Sequence, residues 1–184
     1  MQLPFNLNTK IDENLNDIPL ERDQFLLAKE MLQDQIKYSE NMELEKKREL
    51  YSLLGYVCRV LELPKESLQY ARKAVELSRE INIILYVVID QIRLASSVGL
   101  HDFEASEELF KECISICESY QPLDEVVDFA YFNYGKILFQ KENVELGKHY
   151  FTKALEIREK KQSPDLVSAA MFAIKACDKK SDLH

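Results

Sequence analysis

Residues 145–157 read ELGKHYFTKALEI, a stretch that the chain repeats in degenerate form. Residues 65–77 and 104–116 align with it without gaps, so the three starting positions are successively 39 and 41 residues apart. A fixed period of this length is typical of stacked supersecondary units, each of which is one helix pair. The repeat therefore predicts an array of helix pairs.

The three stretches share small side chains at two equivalent positions. The first small residue is followed three residues later by a ring or a leucine, and four residues after that by a second small residue. Small side chains at helical spacing let two helix backbones approach closely. These positions are Ser67, Tyr70 and Ala74 in the first stretch, Ser106, Leu109 and Cys113 in the second, and Gly147, Tyr150 and Ala154 in the third.

Two glycines lie inside the helices that precede the first and third stretches. Gly55 and Gly135 each stand twelve residues before the first small position, within YSLLGYVC at 51–58 and YFNYGKIL at 131–138. A glycine inside a helix costs about 1 kcal/mol relative to alanine. Two glycines at equivalent places therefore predict that a partner helix packs closely against each of them.

An aromatic residue, a Leu-Gly-like pair and a small residue in the following helix make this pattern resemble the tetratricopeptide repeat family. The third repeat, with Phe151 and Ala154, fits best, and the resemblance extends over about residues 46–161. The family's closing proline is missing from each repeat, and the period is about 40 residues instead of 34. Longer repeats of this kind are similar to those of Gram-positive peptide-pheromone receptors, including the Rap regulators. The resemblance implies a right-handed superhelix of antiparallel helix pairs that binds a peptide or a protein.

The helical pattern and its breaks predict an all-α chain, a tetratricopeptide-like α-solenoid of about eight helices. Residues 1–18, rich in Asn and other polar residues, are predicted to be a flexible N-terminal arm, and residues 19–181 a single helical domain. Prolines 19, 64 and 164 suit first-turn positions of helices. The predicted repeats cover about 46–80, 82–119 and 123–161, and a capping helix covers 164–180. The predicted helices are about 19–41, 43–62, 64–80, 82–99, 102–119, 123–140, 143–161 and 164–180.

The composition argues against nucleic-acid and membrane partners. With 32 acidic and 24 basic residues the formal net charge is −8, and the basic runs are flanked by carboxylates, so a phosphate backbone would be repelled. No run of apolar residues approaches the roughly 18 that a membrane helix needs, and the N-terminus lacks the features of a signal peptide. We expect a cytoplasmic protein.

The sequence also offers no catalytic, cofactor or metal site. A nucleophile elbow, a phosphate-binding glycine loop and a helical His-Glu-x-x-His are all missing, so we expect no enzyme and no cofactor. Cys113 and Cys117 share a helix face, but no further ligand at matching spacing completes a metal site. Together with Cys58 and Cys177 they are interpreted as reduced core thiols.

The inner stripe of each first helix is the candidate binding surface, because helix-pair repeats line a groove with it. Aromatic anchors beside Arg, Lys and Gln suit a peptide held by a few side chains and by hydrogen bonds to its backbone. The alternative is that the rings are buried within the domain. The candidate groove residues are Ser52, Tyr56, Arg59, Gln91, Phe129, Phe132 and Lys136.

The function expected from this pattern is a non-catalytic scaffold or regulator that binds a protein or peptide in its groove. Two alternatives stay open. One is a chaperone for an exported or assembling client, and the other is a regulatory subunit that inhibits or activates a partner enzyme. The alanine-rich last helix either caps the repeats or offers a surface for a homodimer through the terminal helices.

Overall fold

The computed structural model describes residues 4–38 and 40–182, and within them the chain folds into eight α-helices and one two-stranded sheet. The all-α prediction is confirmed. The strands are β1 (Thr9–Ile11) and β2 (Asp17–Pro19). The helices are α1 (Arg22–Lys37), α2 (Leu44–Val60), α3 (Pro64–Ile81), α4 (Ile84–Val98), α5 (Phe103–Ser119), α6 (Val127–Gln140), α7 (Val144–Lys160) and α8 (Pro164–Ser181).

Contacts between backbone positions divide the chain into two compact units. Unit 1 contains residues 4–10 and Asp17–His101, and thus α1 to α4; unit 2 contains Ile11–Asn16 and residues 102–182, and thus α5 to α8. In unit 1 the closest helix pair is α2 with α3, and in unit 2 it is α6 with α7. The boundary falls within the predicted second repeat at 82–119, because α4 belongs to unit 1 and α5 to unit 2.

Three helix connections share one geometry. After α2, α6 and α7 a single residue adopts a left-handed conformation, with φ of 61° at Glu62, 64° at Glu142 and 54° at Gln162. The next amide N–H then donates to the carbonyl five residues earlier, at 2.9, 2.9 and 3.3 Å respectively. This hydrogen bond closes a helix end in the way that glycine commonly permits, here without glycine. The connections are short, and the joined helices pack as antiparallel neighbours.

The prolines fit their predicted places in two of three cases. Pro64 and Pro164 begin α3 and α8, where the missing N–H of proline is not needed by the helix. Pro19 is the last residue of β2, and α1 begins only at Arg22. The predicted helix start at residue 19 is therefore three residues early.

The prediction that residues 1–18 form a flexible arm needs correction, because much of this segment has defined structure. Residues 1–3 lie outside the described residues, but 9–19 form the β1–β2 hairpin. Asp12 organises its turn, since its carboxylate accepts the N–H groups of Asn14 and Asn16 at 3.0 and 2.7 Å. Leu15 in the same turn is fully buried. A single apolar residue among polar ones does not produce an alternating pattern of polar and apolar residues. The sequence therefore did not predict this hairpin.

The close approach predicted at the two helical glycines is confirmed. A Cβ atom on Gly55 would stand 3.1 Å from the backbone nitrogen of Ala71 in α3. One on Gly135 would stand 2.7 Å from the ring of Phe151 and 3.1 Å from the carbonyl oxygen of Gly147 in α7. All three distances are shorter than ordinary van der Waals contact. The repeated glycine therefore reflects how tightly the paired helices pack.

All four cysteines are buried free thiols, in agreement with the interpretation as core residues. Burial raises the pKa of Cys58 and Cys113 to about 12, and that of Cys117 and Cys177 to about 11. Since the thiolate is the reactive form, we expect the native protein to resist alkylation by iodoacetamide at pH 8. Mass spectrometry should find four added groups only after denaturation in urea. Rapid labelling of any cysteine in the native protein would contradict this burial.

Candidate functional site

A buried ion pair lies beneath the candidate binding stripe of unit 1. Arg48 on α2 donates from Nε and Nη2 to the two carboxylate oxygens of Asp90 on α4, at 2.6 and 3.0 Å. The Asp90 side chain is completely inaccessible to solvent. The guanidinium carbon of Arg48 also lies 4.4 Å from the ring centroid of Tyr86. Two parallel hydrogen bonds and a ring contact fix the position of α4 against α2.

Ser52 extends this pair towards a second arginine. Its hydroxyl donates to Asp90 and accepts a hydrogen bond from Nη1 of Arg93. Burial lowers the pKa of the Arg93 guanidinium, and the nearby charge of Asp90 opposes that shift. Among the described residues the Ser52 hydroxyl is the only hydrogen-bond partner of the Arg93 guanidinium, which is half-buried. A planar cation with five N–H donors thus keeps donor capacity for a ligand.

Tyr56 and Arg59 follow Ser52 along the same stripe of α2. Both are half-buried. The guanidinium carbon of Arg59 lies 5.5 Å from the Tyr56 ring centroid, and Arg59 pairs with Asp17 at 2.7 Å. Burial, chiefly, raises the pKa of the Tyr56 hydroxyl. Gln91, the fourth predicted residue of unit 1, is buried on α4 next to Asp90 in the chain.

The predicted residues of unit 2 are mostly covered. Phe132 and Lys136 are buried, whereas Phe129 is half-buried. The Phe132 ring packs against Phe151 at 5.4 Å between centroids, and the guanidinium carbon of Arg158 lies 4.1 Å from its centroid. Phe132 therefore contributes to packing between α6 and α7.

Unit 2 has its own buried ion cluster, centred on Asp128 at the start of α6. Its carboxylate accepts from Nε of Arg158 at 3.0 Å and from Nζ of Lys161 at 2.6 Å. Arg158 also donates to the carbonyl of Leu166 at 3.1 Å, which ties α7 to α8. Burial lowers the pKa of Arg158, and its hydrogen bond with Asp128 opposes that shift. The cluster is thus a structural element of the hairpin.

Two tyrosines of the α6 motif bind carboxylates on α5. The hydroxyl of Tyr131 donates to Glu118 at 2.5 Å, and that of Tyr134 donates to Glu107 at 2.7 Å. These hydrogen bonds lower the pKa of both glutamates, while burial raises that of both tyrosine hydroxyls. The aromatic residues of the repeat motif therefore join neighbouring helices, and they are not exposed ligand contacts.

Sequence reasoning missed the charged residues that organise both stripes, namely Arg48, Asp90, Arg93, Asp128 and Arg158. Each is a charged residue in an amphipathic helix, where solvent exposure is the normal expectation. The position of Arg48 carried a signal: it stands seven residues before Gly55, on the side of α2 that faces other helices. Periodicity places it there, but its partner on α4 is far away in sequence.

Two clefts lined by described residues of unit 1 contain none of the candidate groove residues. A cleft of about 870 Å³ lies along α1 and is lined by Phe5, Leu27, Met31, Tyr38 and Met42, among others. A smaller one of about 500 Å³ lies over the α2–α3 pair, beside Tyr51 and Tyr70. Within residues 4–38 and 40–182 no cluster of three or more metal-ligating side chains is found. No helix in those ranges combines the length and apolar character needed to cross a bilayer.

These features define the class of protein: an all-α scaffold of paired helices, with buried charges fixing neighbouring helices. Residues 130–161 match the tetratricopeptide repeat family, which confirms the resemblance seen in the sequence. No curated protein matches the chain. Scaffolds of this fold are typically non-catalytic.

Solved structures with similar folds include two complexes. Bacillus thuringiensis PlcR, solved with the peptide PapR7 and DNA, aligns with a TM-score of 0.73 at 15% identity, over 88% of this chain and 58% of its own. A Rap protein complexed with Competence and Sporulation Factor aligns with a TM-score of 0.74 at 18% identity, over 88% and 46%. The chain thus spans about half the length of these two structures.

A third similar structure comes from another organism. BtubC from P. vanneervenii aligns with a TM-score of 0.67 at 19% identity, over 88% of this chain and 70% of its own. Identities this low establish a common fold alone. The predicted similarity to pheromone-receptor repeats is confirmed at the level of the fold.

Proposed function

We propose that this protein is a non-catalytic scaffold that binds a peptide or an extended segment of another protein. The fold supports this function, because structures with the same fold hold peptides. Both alternatives from the sequence, a client chaperone and a regulatory subunit, need such a contact surface as well. The buried thiols fit a reducing compartment, so we place the protein in the cytoplasm.

The observation that carries the proposal is the half-buried Arg93, whose guanidinium has the Ser52 hydroxyl as its single hydrogen-bond partner among the described residues. Beside it stand Tyr56 and Arg59, which are also half-buried. An arginine with free donors next to an aromatic ring suits the carboxylate or carbonyl groups of a peptide. We therefore assign the direct contacts in unit 1 to Tyr56, Arg59 and Arg93.

The remaining candidate residues take a different role in this proposal. Ser52 and Gln91 are buried, and Ser52 positions Arg93 through its hydroxyl. In unit 2 Phe129 is the half-buried ring that a ligand can reach. Phe132 and Lys136 are buried on the same helix, α6, and belong to its packing.

A peptide selected from a random phage-displayed library against the purified protein provides the test. We expect the Tyr56→Ala and Arg93→Gln variants to bind that peptide about tenfold or more weakly, since aromatic and arginine anchors dominate peptide affinity. Isothermal titration calorimetry gives the dissociation constants. The matched control is Lys73→Gln, an exposed cation on α3, which should change affinity less than about twofold.

Circular dichroism separates lost binding from lost folding in these variants. Unchanged affinity in both folded variants would contradict the assignment of the contacts to α2 and α4. Failure to select any peptide that binds the folded protein would contradict the proposed function itself.

A further inference from the structure

The outer face of α1 combines apolar and acidic side chains. The inner face of α1 contains its three buried residues, Phe25, Ala28 and Leu32. The opposite stripe is therefore exposed to solvent. On that stripe Leu26 and Leu27 are 41% and 48% exposed. Glu30 and Asp34 follow one and two turns later, and both are exposed. An apolar pair of this exposure at the start of an acidic stripe is a surface that another molecule can cover.

The 870 Å³ cleft runs beside this stripe and adds depth to it. Leu27, Glu30 and Asp34 line the cleft together with Phe5, Met31 and Tyr38. Its walls all belong to unit 1. A ring or a long apolar side chain that docks on α1 therefore has an apolar recess to enter, with carboxylates at its edge.

The outer face of α8 carries the complementary chemistry. The inner face of α8 packs within unit 2 and contains the buried residues Ala170, Ala173 and Cys177. On the outer face Met171 and Phe172 are 45% and 44% exposed. Lys175 and Lys179 follow them and are exposed. The apolar pair here begins a basic stripe.

The two stripes have the same spacing and opposite charge. Leu26, Leu27, Glu30 and Asp34 on α1 correspond, with one constant offset of 145 residues, to Met171, Phe172, Lys175 and Lys179 on α8. The same offset relates Lys37 to Asp182, where the signs are again opposite. Because both segments are helical with a rise of about 1.5 Å per residue, equal spacing lets every pair meet at once when the helices run side by side in the same direction.

Most of these charges have no ion-pair partner among the residues that the structure describes. Among the described residues no ion pair includes Glu30, Lys175 or Lys179, whereas Asp34 pairs with Lys37 at 2.8 Å on the solvent side. Exposed charges of this kind steer association and select partners by sign. They are available to a second molecule.

We propose that the protein associates head to tail with itself, α8 of one copy docking on α1 of another. Phe172 enters the recess beside Leu27, and the two lysines meet Glu30 and Asp34. A contact between like faces would place acidic α1 on acidic α1, or basic α8 on basic α8, which charge repulsion disfavours. The interface is heterologous, so each added copy leaves one free α1 and one free α8. This inference is independent of the proposed peptide-binding function.

Charge reversal tests the proposal with the full chain in sedimentation velocity at about 50 mM salt. Two helix faces of this size bury less than a standard interface, so we expect weak, concentration-dependent association of the wild type that weakens at 500 mM salt. The Glu30→Lys/Asp34→Lys variant and the Lys175→Glu/Lys179→Glu variant should each raise the dissociation constant about tenfold or more. An equimolar mixture of the two should associate again, and so should the chain that carries all four substitutions.

The matched control is Glu104→Lys/Glu108→Lys, a reversal of two exposed carboxylates at the same spacing on α5, which should associate like the wild type. Circular dichroism verifies that each variant is folded. A monomeric wild type at about 100 µM in low salt would overturn the proposal, and would indicate that another protein covers these faces. Wild-type association of the α1 variant, or lack of recovery in the mixture, would also overturn it.

Discussion

Replacing Asp90 by asparagine is expected to lower the free energy of unfolding by about 3–5 kcal/mol, because it leaves the buried Arg48 without a compensating charge. The substitution preserves the shape of the side chain, so the change reports on charge and hydrogen bonding. Asp90 accepts from Arg48 twice and from Ser52 once, and it is inaccessible to solvent. Urea denaturation followed by circular dichroism measures the loss.

Two controls sharpen the interpretation of the Asp90 variant. Glu76→Gln breaks an exposed ion pair with Lys73 on α3, and it should cost less than about 1 kcal/mol. The double variant Arg48→Met/Asp90→Leu removes both charges together, and it should recover most of the loss, because apolar residues can replace a buried ion pair. A loss below about 1 kcal/mol for Asp90→Asn would contradict the importance of this pair.

Replacing Phe151 by alanine is the second change for which we expect a large effect, a loss of about 3–5 kcal/mol in the free energy of unfolding. The ring is fully buried on α7, packs against Phe132 and fills the space above Gly135. Its removal leaves a cavity where α6 and α7 approach most closely. The same denaturation experiment measures the effect, and Tyr38→Ala, an exposed ring, should cost less than about 0.5 kcal/mol.

Gly135→Ala tests the close approach in the same experiment. The added methyl group would clash with the ring of Phe151 at 2.7 Å, so this variant alone should lose about 1–3 kcal/mol by overpacking. In the double variant Gly135→Ala/Phe151→Ala, the added methyl group occupies space that the ring of Phe151 has vacated. The two losses should therefore add to more than the loss of the double variant, and strict additivity would contradict direct packing between the two sites.

The sequence was most informative where one physical requirement recurs at a fixed spacing. Gly55 and Gly135 predicted closely packed helix pairs, and a Cβ atom at either place would meet the partner helix. The same register also repeats an aromatic contact, Tyr51 with Tyr70 at 6.2 Å and Tyr131 with Tyr150 at 5.8 Å. The spacing of residues within one helix hairpin is enough to predict these contacts, because both partners belong to that hairpin.

Features that depend on distant partners could not be predicted in the same way. Arg48 and Asp90 lie on helices two elements apart, and nothing in the neighbourhood of either shows that it is buried. Helical periodicity placed Ser52 and Tyr56 on one face of α2. It could not show that Ser52 is buried and Tyr56 only half-buried. Burial depends on neighbouring helices, whose arrangement one helical pattern does not contain.

The N-terminal hairpin illustrates a second kind of limit. Its stability comes from one buried leucine, Leu15, and from the carboxylate of Asp12 accepting backbone N–H groups. Three-residue strands are too short to produce a recognisable alternation of polar and apolar residues. A composition rich in Asn therefore predicted an arm without structure.

The two buried ion pairs differ in where their partners lie, and this difference has a consequence for how the repeat chain can change. Arg48 and Asp128 stand seven residues before Gly55 and Gly135, at matching places in α2 and α6. Asp128 pairs with Arg158 in its own hairpin, whereas Arg48 pairs with Asp90 on α4, the helix that follows its hairpin. An α2–α3 hairpin moved into the place of α6–α7 would leave Asp90 behind, so Arg48 would become a buried cation without its partner. The α2–α3 hairpin therefore depends on α4 as its next helix, which favours the present order of the modules along the chain.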